Sequence, residues 1–197
     1  MAPNRIARGG AALRALVSLA VALALGLAAC GGGGETTTVF KDKGGDAEAL
    51  NEVLGRQLGA VEAYGRTLPL LHGAALAGAR EFRAQEQEHV DAIVKALHGL
   101  GEKAVPETEA IEGDGLKTEA DALAFLYELE SASVAYDLRA ISHLTYPWPR
   151  SLLGSIAANQ AQHLVLLRRA LGADAAASIP GAFEDGTTPA PSEKMAE

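Results

Sequence analysis

Four long segments of the chain repeat apolar residues at alternating spacings of three and four, which is the pattern of an amphipathic helix. They run from about residue 46 to 71, 74 to 98, 118 to 144 and 150 to 171. Each segment ends near glycine or proline, and none alternates with the period of two that marks a half-buried strand. The pattern predicts an all-α chain with one four-helix bundle over residues 46–172, in which Asp46 is the N-cap of the first helix.

Polar residues interrupt the apolar stripe near the middle of each predicted helix. There are six of them: Gln57 in the first segment, Glu86 and His89 in the second, Glu130 in the third, and Gln160 and His163 in the fourth. Glutamate and histidine three residues apart share one face of a helix. Because a buried charge without partners costs on the order of several kcal/mol, we expect the six side chains to meet in the core and to interact.

The first 29 residues are predicted to be an export signal that is not part of the fold. A basic region without acidic residues precedes an apolar run of alanine, valine and leucine over residues 13–25. This run has the length of the hydrophobic region of a signal peptide and is short for a transmembrane span. Small residues then precede Cys30, the only cysteine, in the sequence LGLAAC. This stretch resembles a bacterial lipobox, so we expect cleavage before Cys30 and lipidation of its thiol; the alternative is an uncleaved transmembrane anchor.

The predicted lipid anchor places the mature chain on the extracytoplasmic face of the cell membrane. Residues 30–45 form a flexible tether, and residues 173–197 form an irregular tail in which Ile179 and Phe183 are candidates to dock on the bundle. Loss of the signal peptide removes three of the 17 basic residues and leaves all 25 acidic residues. The formal net charge therefore changes from −8 to about −11. That charge argues against nucleic acid as a partner and leaves an envelope protein or a second copy of the chain as candidates.

The polar positions resemble the metal-binding pattern of the ferritin-like superfamily. That pattern has Glu on the first helix, Glu-x-x-His on the second, Glu on the third and Glu-x-x-His on the fourth. The chain matches it with Glu86, His89, Glu130 and His163. In addition, QLGAVEAYG around Tyr64 and LESASVAYDL around Tyr136 resemble the first and third helices of small bacterial ferritin-like domains. The resemblance covers residues 46–172 and implies a ferritin-like up-down four-helix bundle, with both tyrosines among the polar partners of the core.

The chain departs from this pattern at two of the four positions where the family has glutamate. Glutamine stands there instead, as Gln57 and Gln160. The two amides remove two negative charges and two oxygen ligands of the kind that hold a pair of hard cations. The remaining set can hold one divalent ion, such as iron, zinc or manganese, or it can form a metal-free network with the amides. A working dinuclear oxidase or ferroxidase is a third interpretation, and the two replacements count against it.

Two classes of function therefore stay open. The first is a binding or structural protein of the cell envelope, in which the polar core only fixes the register of the helices. The second is a metal-binding protein or oxidase-like enzyme that uses a mononuclear or dinuclear centre in the core. The replaced glutamates favour the first class, because they weaken the ligand set on which an enzyme would depend.

Overall fold

The computed structural model describes residues 42–181 and 184–191, which contain four α-helices and no strand. The helices are α1 (Lys43–Thr67), α2 (Gly73–Leu100), α3 (Glu119–His143) and α4 (Pro147–Ala170), and a 3₁₀ turn (Leu68–Leu70) follows α1. The predicted all-α bundle is therefore confirmed. The predicted signal peptide, Cys30 and most of the tether lie outside the described residues. None of the described helices combines the length and the apolar character that a membrane span requires.

The first helix begins earlier than predicted, because Asp42 caps it instead of Asp46. The side chain of Asp42 accepts a hydrogen bond from the backbone N–H of Gly45, which would otherwise be unpaired in the first turn. Asp46 is fully buried and accepts hydrogen bonds from the backbone N–H groups of Thr145 and Tyr146, at 2.7 and 2.9 Å. Asp46 thus joins the start of α1 to the connection between α3 and α4.

The long connection between α2 and α3 lies along α1 and sets the direction of the second helix pair. Its first part contacts the beginning of α1, where the backbone N–H of Val105 donates to Asn51 Oδ1 at 2.8 Å. Its last part reaches the other end, where the backbone N–H of His72 donates to Glu119 Oε2 at 2.7 Å. Helix α3 is therefore parallel to α2, and the bundle runs up-down-down-up. This corrects the expected up-down order, since the crossover carries the chain back to the end of the bundle where α2 begins.

Two glycines of α1 let the crossover approach the helix closely. A Cβ atom at Gly55 would lie 2.0 Å from the carbonyl oxygen of Glu107, and one at Gly59 would lie 2.3 Å from that of Glu109. The backbone N–H of Glu109 donates to the carbonyl of Gly55 at 3.0 Å, and its carboxylate pairs with Arg56 at 2.9 Å. The crossover is thus fixed to one face of α1 by backbone contact and by an ion pair.

The apolar core forms two clusters, one toward each end of the bundle. One contains Tyr64, Leu126 and Leu164, and the other contains Leu50, Ile93 and Leu153. All six polar residues predicted to converge are at most 9% exposed. The structure therefore buries a polar layer between two apolar clusters, where water cannot easily replace missing partners.

The described part of the C-terminal tail has no helix or strand and packs on α3 and α4. Arg168 pairs with Glu184 at 2.7 Å, and the Tyr127 hydroxyl donates to the carbonyl of Thr188 at 2.7 Å. Ala190 is buried, whereas Ile179 is 67% exposed, so the expectation that Ile179 docks is wrong. Polar anchors rather than that apolar side chain hold the tail, and Phe183 lies outside the described residues.

Candidate metal centre

Three of the four predicted metal ligands come together in the polar layer. Glu86 of α2, Glu130 of α3 and His163 of α4 each offer a ligand atom, and these atoms all lie within 4.8 Å of one another. All three side chains are at most 2% exposed. Two carboxylates and one imidazole from three helices therefore face the same small volume, shielded from water.

The contacts of His163 show what this volume lacks. Its Nε2 lies 2.8 Å from Gln85 Oε1, so an N–H at that nitrogen donates to the amide oxygen. In that tautomer Nδ1 carries a lone pair, and it lies 3.0 Å from Glu130 Oε1 and 3.6 Å from Glu86 Oε1. Three acceptors then face one another, an arrangement that only a proton or a cation between them makes favourable.

Aromatic residues fix the orientation of these ligands. The ring of Phe82 stacks on the imidazole of His163, with centroids 4.0 Å apart and an angle of 20° between the planes. Tyr64 meets Phe82 edge to face and donates its hydroxyl hydrogen to Glu130 Oε1. The pKa of Tyr64 is raised well above its usual value by burial and by the charge of Glu130, which keeps the hydroxyl protonated as a donor. One oxygen of Glu130 is thus occupied, and the other stays available.

Several buried polar atoms of the layer have no hydrogen-bond partner in the described structure. They are Glu86 Oε1, Glu130 Oε2, both carboxylate oxygens of Asp137 and both amide atoms of Gln57 and Gln160. Burial and the charge of Glu130 raise the pKa of Glu86 well above its usual value, although His163 and the nearby amide of Gln160 lower it. Buried polar groups in folded proteins nearly always have a hydrogen-bond partner. This many unpaired polar atoms in one layer therefore need an explanation.

A second imidazole lies on the other side of Glu86. His89 Nδ1 is 3.3 Å from Glu86 Oε2, whereas His163 Nδ1 approaches Glu86 Oε1. The side chain of His89 is 11% exposed, and burial lowers its pKa, so the neutral ring is favoured. His89 therefore contacts Glu86 as predicted but lies outside the group of three ligands.

Asp137 is a member of the polar layer that sequence reasoning missed. It is fully buried two turns after Glu130 on α3, and burial together with the charge of Glu86 raises its pKa to about 8. The signal was present, because Asp137 falls three residues after Val134 and four before Ile141 on the apolar stripe. Tyr136 was predicted for this role, but it points about 100° away around the helix. Its hydroxyl donates to Glu52 at 3.1 Å outside the layer, so that prediction is corrected.

Comparison with known proteins agrees with this architecture. Residues 45–173 match the family described as Ferritin-like domain. No curated protein matches the chain. Among solved structures, it is similar to a ferritin-like, diiron-carboxylate protein from Bacillus anthracis str. Ames, with a TM-score of 0.54 and 18% identity over 64% of this chain and 95% of that one. The likeness at this identity concerns the fold alone. Since the family match spans well over half of the sequence, the chain belongs to the Ferritin-like domain family.

Proposed function

We propose that this protein binds one divalent metal cation in the core of its bundle, through Glu86, Glu130 and His163. The observation that carries the proposal is the convergence of three ligand atoms within 4.8 Å in a site that excludes water. Glu86 Oε1 and Glu130 Oε2 have no hydrogen-bond partner among the described residues, so their lone pairs are free for a cation. A cation there would satisfy these oxygens together with the lone pair of His163 Nδ1.

The donor set fits one ion better than the metal-free network. A network that only fixed helix register would be expected to close, with the amides of Gln57 and Gln160 bonded to carboxylate or imidazole. The amide of Gln57 is instead unpaired, and the amide of Gln160 lies near Glu86 without a well-formed hydrogen bond. Histidine ligands commonly donate their second ring N–H to an oxygen, as His163 does to Gln85.

The residues present do not fit a centre built on four glutamates, because positions 57 and 160 are glutamines. Two carboxylates and an imidazole suit zinc, iron or manganese, with open positions for further ligands. When bound, such an ion would supply Lewis-acid or redox chemistry. The residues themselves orient the ligands through Phe82 and Tyr64 and keep bulk water out.

We also propose that the domain acts at the cell envelope, tethered through a lipid on Cys30. The support is the basic and apolar pattern of the first 29 residues and the position of the single cysteine after LGLAA. Expression of the full chain and of Cys30→Ser, followed by labelling with a fatty acid and by detergent phase partition, tests this. The full chain is expected to carry label and enter the detergent phase. Absence of label from the full chain would overturn the anchor without affecting the metal site.

Elemental analysis of the purified full chain tests the metal proposal. We expect about one equivalent of zinc, iron or manganese in the wild type and almost none in His163→Gln, because that change removes the one imidazole of the three-ligand set. His98→Gln is the matched control, because His98 is exposed in the last turn of α2. Absence of metal after purification without chelator, with no rise in melting temperature on adding any of the three ions, would overturn the proposal.

A further inference from the structure

The tether end of the bundle is the end at which α1 begins, at Lys43. Helices α2 and α3 finish at this end, and α4 starts there. The hydrogen bonds of Asp46 to the connection between α3 and α4 hold these termini together. The segment that precedes the domain in the chain therefore joins it at a surface made of four helix termini and two connections.

A lipid on Cys30 would hold the tether end nearest the membrane. Only about 12 residues separate Cys30 from Asp42, and a fully extended chain of that length spans at most about 43 Å. The opposite end of the bundle lies one helix length farther away, which is about 37 Å for the 25 residues of α1. The tether end can thus rest on a bilayer with the connecting segment slack, whereas the opposite end could reach it only with that segment almost fully extended.

Trp148, the only tryptophan of the chain, lies at the surface of the tether end. It is the second residue of α4, between Pro147 and Pro149, and 41% of it is exposed. A Cβ atom at Gly99 of α2 would lie 3.5 Å from its ring, so one edge of the indole packs on α2 while the rest faces out. Tryptophan is enriched at the boundary between water and lipid, because its ring is apolar and its N–H is polar.

The exposed charges around Trp148 suit an anionic surface better than the charge of the whole domain does. Within about two turns of the tether end there are five exposed cations and three exposed acids: Lys43, Lys95, Lys103, Arg139 and Arg150 against Asp42, Glu48 and Glu102. The mature chain as a whole has a formal net charge of about −11. Anionic lipid repels such a domain, and the repulsion is smallest when the tether end faces the lipid.

We propose that the tether end docks on the anionic lipid bilayer that holds the proposed anchor, with Trp148 at the contact. The indole lies among the lipid headgroups, and the neighbouring cations lie beside the lipid phosphates. The proposal rests on the envelope part of the proposed function, because the anchor at Cys30 brings this end to the membrane. It fixes the orientation of the domain, since the opposite end, where Leu166 of α4 is 53% exposed, then points away from the bilayer.

Fluorescence of the single tryptophan tests the docking directly. The full chain is reconstituted in vesicles of phosphatidylcholine and phosphatidylglycerol, with or without bromine on the lipid acyl chains close to the headgroup. We expect the brominated lipid to quench most of the Trp148 emission. The matched control is Trp148→Phe combined with Leu166→Trp, which moves the only tryptophan to an exposed position at the opposite end of α4. Its emission should be nearly the same in both kinds of vesicle.

A second pair of variants tests the choice of an anionic surface. Lys43→Gln combined with Lys103→Gln should lower the quenching of Trp148, because it removes two cations from the tether end. Lys117→Gln is the control, since Lys117 is exposed beside the start of α3 at the opposite end, and it should leave the quenching unchanged. Equal quenching in both variants would overturn the role of anionic lipid.

The outcomes separate the docking from the anchor. Full chain that binds the vesicles but keeps its Trp148 emission with brominated lipid would overturn the docking and leave the anchor intact. Equal quenching of the variant with the moved tryptophan would also overturn it, because neither end would then be preferred. Full chain that does not bind the vesicles at all would overturn both. Circular dichroism establishes folding; if the moved-tryptophan variant does not fold, protection of the wild-type Trp148 from aqueous acrylamide on vesicle binding decides the question.

Discussion

Replacing Asp137 by asparagine should stabilise the metal-free protein near neutral pH and remove part of its pH dependence. The pKa of Asp137 is raised from 3.8 to about 8, chiefly because burial disfavours the charged carboxylate. Between these values the folded state holds a proton that the unfolded chain has released. Raising the pH through this window therefore destabilises the folded state, since stability falls wherever the folded state binds more protons.

The magnitude follows from the size of the shift. Each pH unit inside the window costs about 1.4 kcal/mol of unfolding free energy for one retained proton. At pH 7 the difference from an ordinary aspartate is about three units, so the cost approaches about 4 kcal/mol. Asparagine has nearly the same shape and does not titrate. We expect Asp137→Asn to gain about 2 to 4 kcal/mol at pH 7, because relaxation of the site reduces the full value.

Urea unfolding followed by circular dichroism, with a chelator present, measures this effect. The wild type and Asp137→Asn are compared from about pH 5 to about pH 8, and the difference between them reports the titration of Asp137 together with its coupling to His89 and Glu86. The difference should grow with pH by up to about 1.4 kcal/mol per unit. The exposed control Glu88→Gln should change little at any pH. Parallel pH profiles for the wild type and Asp137→Asn, or a less stable variant at pH 7, would refute the reasoning.

Three further changes test the parts of the fold that support the layer. Gly55→Ala should cost about 1 to 3 kcal/mol in urea unfolding, because its Cβ would lie 2.0 Å from the carbonyl oxygen of Glu107; an unchanged midpoint would contradict the close approach. Phe82→Ala should cost about 3 to 5 kcal/mol and weaken metal binding, since it removes the ring stacked on His163; calorimetric titration with Zn²⁺ showing full affinity would contradict a positioning role. Tyr127→Phe should cost about 1 to 3 kcal/mol and speed proteolysis of the C-terminal tail, because its hydroxyl holds a tail carbonyl; wild-type proteolysis would contradict this.

Much of the fold could be predicted because helix periodicity is a local property of the sequence. The apolar stripes located four helices, and polar residues on those stripes predicted a buried layer containing Glu86, Glu130 and His163. The parallel direction of α2 and α3 was not predicted, because it depends on where the crossover packs. That packing uses backbone contacts at Gly55 and Gly59, which no periodicity reveals.

The composition of the site was harder to predict than its place. Asp137 interrupts a stripe in the same manner as Glu130, but the resemblance drew attention to the neighbouring Tyr136. A shift of one residue turns a side chain about 100° around the helix, which separates a buried ligand from a surface hydroxyl. The two glutamines also led to the expectation of a weakened centre. Only the folded structure shows that Asp137 is a further buried carboxylate, with no hydrogen-bond partner among the described residues.

The spacing of Gly55 and Gly59 has a consequence for recognising this architecture in other sequences. Glycines four residues apart usually suggest that two helices cross at short range, most often inside a lipid bilayer. Here the same spacing lets an irregular segment, the connection between α2 and α3, lie directly against the backbone of α1. A homologue with bulky residues at both places would have to carry its interhelical segment farther out, which would leave that side of its first helix open to other molecules.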